Sequence, residues 1–500
     1  MNDVTPWLRL DPRMLVVGPL TNLGQLVPVV VLVLITGRSG NLSQVWYALG
    51  GAAFVVLAGV VRWRTTRYRI TAERVELHTG LLRRQRRSVP RDRIRTVDLT
   101  ASPVRRVFGL SVVRVGSATG AGSVGDRSAR LDLDAVSAAE AERLRRELLD
   151  RAPVAPTVAP PATELAHLRW SWLRFAPLTF SSLAGVGAVA GAVFNLLSEL
   201  GVDPRDIGVV DETGRRLTTA PLWVGIGVAG AALLAVAVVG AVAIFVERWY
   251  AYRLTREPDG SLRVSHGLLT RRSLSVSAER LRGAEVVEPL LLRLGRGAKV
   301  RALSTGLREG SGGALGPPAP RAEAHRLAAV ALHSVPSEAT RADLRRHPQA
   351  VLRRRLTRAV LPAAALVVAA WTVDPRAGLV ALALLPAAVL LAVDRYRGLG
   401  HTLTGRHLVT RTAGLRRRTV ALQRDGVIGW TFRQTMFQRR AGLVTAEAVT
   451  AAGRGGYPVL DAAASDAVAL ADGTTPGLLE PFRTCPDRTD TVMTVQKARK

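Results

Sequence analysis

The densest chemistry in this chain is guanidinium. Lys+Arg is 69 against Asp+Glu 39, a formal net charge of +30. Lys299, Lys497 and Lys500 are the three lysines, so 66 of these cations are arginines. They bunch at three places: Arg83, Arg84, Arg86 and Arg87; Arg271 and Arg272; and Arg416, Arg417 and Arg418. Each bunch stands just past a Gly-Leu pair, and Arg91, Arg93 and Arg95 follow the first. On strands such runs alternate faces, so at most half of each run meets one partner. Three readings are open. The runs could be a solvated edge that also marks the cytoplasmic side. They could touch anionic lipid headgroups, where an arginine near the leaflet gains about 1 kcal/mol. They could dock an acidic protein. Nucleic acid is disfavoured, because the charge lies next to apolar segments that point to a membrane.

Other chemistry is sparse. Gly120, Gly122 and Gly125 match G-x-G-x-x-G by letter, but strand-like Leu131–Ala135 follows. Dinucleotide binding needs a helix N-terminus there, so the stretch reads as a hairpin loop. No Walker A, H-E-x-x-H or G-x-S-x-G pattern occurs. The eight histidines are scattered; His401 and His407 are the nearest pair and have no carboxylate at ligand spacing. A single cysteine, Cys485, excludes an internal disulfide and a cysteine-built zinc site. The expectation is a protein that is not an enzyme, with no catalytic residue, no metal and no cofactor.

The elements that must position the arginines are apolar blocks and β-segments. With 48% hydrophobic and 22% charged residues, the mean hydropathy is +0.17, so the apolar residues are segregated. Six blocks approach the length a bilayer requires: Leu15–Thr36, Leu42–Val61, Phe175–Leu200, Pro221–Val246, Leu356–Val373 and Gly378–Val393. Trp63, Trp170, Trp249 and Trp371 stand near block ends, as interfacial aromatics do. Arginines flank the pairs, at Arg62, Arg64, Arg248, Arg253, Arg353–Arg355, Arg395 and Arg397. The loops inside the pairs are poorer in them. The positive-inside rule then puts both termini and the large polar segments in the cytoplasm. No block carries a central ionisable residue, which argues against a pump or a charged-substrate pathway.

The polar segments repeat at a spacing near 180 residues. Period-two alternation marks strands at Arg74–His78, Ile94–Leu99 and Ser111–Val115. Ser137 three residues before Glu140 is a capping box opening a helix. Comparable helices follow Pro320 and Asp461. Each polar unit therefore reads as antiparallel strands closed by one C-terminal helix.

Particular motifs recur. They are Tyr68-Arg69-Ile70-Thr71 and Tyr252-Arg253-Leu254-Thr255, Gly80-Leu81-Leu82 and Gly267-Leu268-Leu269, Ser88-Val89 and Ser275-Val276, and Arg93-Ile94-Arg95 and Arg280-Leu281-Arg282. In these stretches, Trp63 to Val115 and Trp249 to Ala302, the chain resembles bacterial membrane proteins with YdbS-like PH domains (bacterial PH domain 2). Tyr396 to Val449 is a weaker copy, with His401-Thr402-Leu403-Thr404 at its start. The resemblance implies a small β-sandwich or partly open barrel with a C-terminal helix. It carries over no active-site residue.

The expected architecture is an α+β membrane protein with six transmembrane helices in three hairpins, each hairpin followed by such a module. Hairpins are placed at 1–61, 175–246 and 356–393, and modules at 62–150, 247–335 and 394–472. A Pro/Ala linker and juxtamembrane segment occupy 151–174, a basic juxtamembrane segment with a helix lies at 336–355, and a disordered tail covers 473–500. The expected function is a non-catalytic binding scaffold at the anionic inner leaflet of a bacterial plasma membrane, partnered by another protein or by further copies. A transport or export component, gated or assembled by the modules, is the alternative.

Overall fold

The computed structural model describes residues 7–15, 17–18, 57, 59–61, 63–71, 73–80, 85–91, 94–117, 130–149, 162–179, 222–305 and 313–483. Arg83, Arg84, Arg93, the glycine-rich stretch at 120–125, the linker at 151–161, most of the first three apolar blocks and the tail from residue 484 lie outside the described residues.

The alternating segments are strands. In chain order they are β1 (Leu8–Arg9), β2 (Arg67–Ile70), β3 (Arg74–Thr79), β4 (Gln85–Pro90), β5 (Ile94–Ala101), β6 (Leu110–Ser117) and β7 (Arg130–Ser137). Next come β8 (Thr163–His167), β9 (Arg253–Arg256), β10 (Leu262–His266), β11 (Arg271–Val276), β12 (Leu281–Pro289), β13 (Gly297–Ser304) and β14 (Ala319–Pro320). The last are β15 (Gly400–Leu403), β16 (His407–Thr412), β17 (Arg416–Gln423), β18 (Gly429–Arg433), β19 (Leu443–Val449) and β20 (Gly456–Ala463). Helices Ala138–Leu149, Arg321–Ala331 and Ala464–Thr474 close the three repeats. Glu140 donates its backbone N–H to Ser137 Oγ at 3.2 Å, the capping bond read from sequence.

Two compact units result: residues 1–280 with 291–297 and 315–320, and residues 281–290, 298–314 and 321–500. The first holds a four-stranded sheet, β1-β2-β3-β4, and a seven-stranded one, β7-β6-β5-β11-β10-β9-β8. The second holds a run β13-β12-β17-β16-β15 and a three-stranded sheet, β18-β19-β20. The repeats are therefore not self-contained sandwiches. In the first unit β5 pairs with β11 of the next repeat, from Ala101↔Arg271 to Thr96↔Val276. In the second, β12 pairs with β17, from Pro289↔Arg416 to Gly283↔Leu422. Each junction satisfies a row of backbone donors and acceptors that a lone module would leave at an edge.

The cores follow the strand pattern. In the first unit Tyr68, Val75, Leu77, Val97, Leu131 and Leu133 are buried, and Ala141, Leu144 and Leu148 of the closing helix join them, one helical stripe. In the second, Leu408, Val420, Leu422, Ala446, Tyr457 and Val459 pack with Ala467 and Leu470. After the short helix Pro103–Val107 the chain must reverse into β6. Gly109 does so at φ +69°, and Gly442 makes the matching turn at φ +65°, a region glycine enters without a Cβ clash.

The expectation of six transmembrane helices in three hairpins is corrected. Among the described residues two helices are long and apolar enough to cross a bilayer, Gln349–Val373 and Pro375–Arg397. Little of their apolar windows is covered, 6% and 11%. The fourth block is helical over Leu222–Trp249. The third block begins inside protein instead. Trp172 and Phe175 belong to a 3-10 turn, Trp170–Phe175, and are buried. The Phe175 ring takes the space, 2.6 Å away, that a Cβ on Gly297 would need. An apolar stretch in sequence records composition, and a β-module core recruits the same residues as lipid does.

Two further segments differ from expectation. Residues 336–348 form turns rather than a helix lying on a surface; Ala339, Thr340 and His347 are buried, and Arg345 bridges to His401. The arginines at 353–355 belong to the helix that starts at Gln349. The start of the tail is ordered, since helix Ala464–Thr474 is followed by a short helix Glu480–Arg483.

Candidate functional site

In the second and third repeats the Gly-Leu turns that precede the arginine runs are hairpin tips between the second and third strands, and these tips are pinned to helix ends. In the first unit, Gly267 at φ +117° turns β10 into β11. A Cβ there would collide with the Thr270 carbonyl. Gly267 and Leu268 donate backbone N–H bonds to the Tyr250 and Glu247 carbonyls at 2.9 and 2.8 Å. His266 Nδ1 lies 2.6 Å from the Arg248 carbonyl. The β10–β11 tip thus sits on the C-terminal end of helix Leu222–Trp249. In the second unit, Arg411 Nε donates to the Gly398 carbonyl at 3.0 Å, and Gly398 has no room for a Cβ beside Ala413. That tip sits at the end of the apolar helix that closes at Arg397.

What the tips present is mixed. Leu268, Leu269 and Leu415 are exposed. So are Arg271, Arg272 and Arg416. Beside each tip runs the short helix of the preceding repeat. Arg106 Nη1 donates to the Leu268 carbonyl at 3.1 Å, and Leu290 N–H donates to the Leu415 carbonyl at 2.9 Å. These short helices expose apolar side chains too: Val107 at 83%, Leu294 at 74% and, in the third repeat, Phe437 at 69%. Arginine neighbours them at Arg105, Arg106, Arg293, Arg439 and Arg440. Leucine at a solvent-facing turn costs free energy unless something apolar covers it.

The first repeat offers a cleft rather than a described tip. Arg64, Arg67, His78, Gly80, Gln85 and Arg86 line it. Trp7 stacks against His78 at 4.2 Å, and the Arg69 guanidinium lies over the Trp7 ring at 4.7 Å. Burial, then the Arg86 charge, hold the His78 imidazole below its ordinary pKa. Three guanidinium groups around one opening suit an anion. Arg87 reaches Gln85 Oε1 at 3.4 Å and is half-buried.

Two candidate arginines are committed inward. Arg417 meets Glu288 at 3.7 Å and Asp394 at 3.5 Å, and Arg418 meets Glu285 at 3.4 Å. Glu288 is 2% exposed and also pairs with Arg321 at 2.7 Å. His325 lies 4.0 Å from it and contacts Thr340 Oγ1 at 2.7 Å. Burial first, then Arg321, Arg341 and Arg411, push the His325 imidazole down to about 4. The cluster is an ionic lock on a buried carboxylate, and in it Arg417 and Arg418 are largely shielded from solvent. Across β11 the field differs. Burial raises the Asp98 carboxyl against the pull of Arg114 and Arg272.

Of the nine arginines picked from sequence, Arg271, Arg272 and Arg416 share tips with exposed leucine, and Arg86 joins the cleft. Arg417 and Arg418 sit in ion pairs. Sequence reasoning passed over the leucines. The available signal was that an apolar residue recurs at Leu81, Leu268 and Leu415, where a turn ordinarily carries polar ones. His401 and His407 are buried, and His401 meets the His347 ring edge-on at 5.1 Å. Among the described residues no three His, Cys, Asp or Glu side chains converge as metal ligands.

Comparison with known proteins agrees with the repeat. A transmembrane protein of Bacillus subtilis (strain 168), YdbT of the UPF0699 group, is 23% identical over 413 residues, covering 78% of this chain and 81% of the relative. No solved structure matches. The bacterial PH domain profile matches three times, over residues 17–152, 207–335 and 356–472. With those three matches on a threefold β-repeat, the chain belongs to the bacterial PH domain family.

Proposed function

We propose that this is a non-catalytic integral membrane protein whose PH modules form a binding scaffold on the cytoplasmic face of the membrane. The reading rests above all on the hairpin tips. Exposed leucine and exposed arginine occupy one turn, and that turn is bonded to the end of an apolar helix. A surface whose apolar part lies next to its cationic part matches a leaflet boundary, where acyl chains and anionic headgroups sit a few ångströms apart. Helices Gln349–Val373 and Pro375–Arg397 supply the anchor, and Arg353–Arg355 and Arg395–Arg397 mark the cytoplasmic side. The cleft of Arg64, Arg67 and Arg86 adds a place for one anionic headgroup. Because the modules are tethered, lipid contact orients them rather than recruiting them.

The test uses the full chain in lipid bilayers with and without phosphatidylglycerol. Nitroxide labels replace Leu269 and Leu415 in a Cys485→Ser background. Both labels are expected to favour oxygen over a water-soluble nickel relaxant, more strongly with phosphatidylglycerol present. Water-like accessibility at both positions in both bilayers rejects the proposal.

A further inference from the structure

The two junctions between repeats are the same junction. Counting back from the short helices, which start at Pro103, Leu290 and Met436, places Leu99, Val286 and Phe432 at one position of the repeat. Counting back three residues from the third-strand members of the buried cross-strand pairs Val75↔Val89, Leu262↔Val276 and Leu408↔Leu422 places Arg86, Ser273 and Thr419 at another. In the structure Leu99 pairs with Ser273, and Val286 pairs with Thr419. Two independent junctions therefore use one register. Each repeat carries an outgoing edge on its fourth strand and an incoming edge on its third.

Among the described residues, the three repeats contain three of each edge and form two junctions. The remaining pair is β4, an outermost strand of the four-stranded sheet, and β18, an outermost strand of the three-stranded sheet. Burial differs accordingly. Val286, covered by β17, is fully buried, whereas its counterpart Phe432 is 39% exposed and Ile428 is 65% exposed. Trp430 and Phe432 stack on one face of β18, centroids 6.4 Å apart. The Trp430 indole N–H is buried with no hydrogen-bond partner among the described atoms.

We infer that β18 of one chain pairs with β4 of a second copy, antiparallel and in the register of the internal junctions. Phe432 then faces Arg86, Thr431 faces Arg87, and Gly429 faces Val89. The partner is another copy because its β4 is the equivalent of β11 and β17, the strands this edge type binds inside the chain. A guanidinium over the Phe432 ring is itself a favourable contact. Such a contact joins unlike edges, so it is head-to-tail and propagates into a ring or a filament in the membrane plane.

Directly opposed antiparallel residues have Cα atoms about 4.5–5.5 Å apart, within the range a disulfide spans. Two differently tagged full-length chains, both Cys485→Ser, are co-expressed in native membranes and mildly oxidised. One carries Arg86→Cys and the other Phe432→Cys; a second set carries Arg87→Cys and Thr431→Cys. Two sets are needed because only one lies at a non-hydrogen-bonded pair. At least one set is expected to give a disulfide-linked heterodimer, with yield several-fold above the shifted set Arg86→Cys with Thr431→Cys. A chain carrying both cysteines of the productive set is expected to give a ladder of multimers. Monomers throughout, a closed monomer from the double variant, or equal yield from the shifted set overturns the inference.

Discussion

The β10–β11 tip and the β16–β17 tip are the same hairpin in two repeats, yet their arginines do different work. Arg271 and Arg272 stand opposite Ala101 and Thr100 and remain exposed. Arg417 and Arg418 stand opposite Glu288 and Val287, and both are drawn into ion pairs with Glu288 and Glu285. The strand that receives the hairpin decides the outcome. Ala101 faces Arg271 where the buried Glu288 faces Arg417, so the first cation stays on the surface and the second becomes structure.

This contrast can be broken by substitution. Arg417→Ala leaves the buried Glu288 carboxylate paired with Arg321 but without its second arginine, and is expected to destabilise the second unit by about 1–3 kcal/mol. Arg271→Ala is expected to change stability by less than about 0.5 kcal/mol. Urea unfolding of the full chain in detergent, followed by tryptophan fluorescence, separates the two. Equal effects erase the distinction between lock and surface.

Acid should weaken the lock side in a definable window. Unfolded His325 binds its proton near the ordinary pKa of about 6.5, and the folded form does so only at about 4. The unfolded state holds more protons between these values, so stability is full above the upper one and falls as the pH drops toward the lower. The His325 contribution is roughly 3 kcal/mol at pH 4. His325→Gln is expected to flatten that part of the pH profile, and an unchanged slope refutes the assignment.

On the lipid side the effects are smaller. Leu269→Ser and Leu415→Ser are each expected to weaken the phosphatidylglycerol-dependent immobilisation of a label on the same hairpin by roughly 1–2 kcal/mol. Arg272→Ala is expected to weaken it by about 1 kcal/mol at low salt, whereas Arg418→Ala leaves it unaltered. Equal loss from Arg272→Ala and Arg418→Ala means that the tip is not where lipid is met.

Much of the β-architecture was legible because period-two alternation and turn glycines are local signals. Arg74–Thr79 and Leu110–Ser117 fall where the alternation puts them, and Ser137 caps as its spacing to Glu140 requires. The ion pairs of Arg417 were not legible, since Glu288 lies more than a hundred residues away and nothing local links the two. The burial of Phe175 escaped for a similar reason: Gly297, which makes room for it, is remote in sequence. Among the described residues two helices are long and apolar enough to span a bilayer, fewer than the hydropathy blocks suggest, because block composition does not say what covers the block. The edge-to-edge joining of repeats is a matter of register between distant strands, which no window of sequence contains.

That joining changes what counts as a separable piece of the molecule. A truncation drawn at a repeat boundary, such as after residue 335, would strip β12 of its neighbour and bare seven residues of ladder. The cut that spares both junction ladders passes between Arg280 and Leu281, through the middle of a repeat. Lengthening obeys the opposite logic. Inserting one more whole repeat adds one incoming and one outgoing strand that consume each other, so a chain of any number of repeats still ends in two terminal edges.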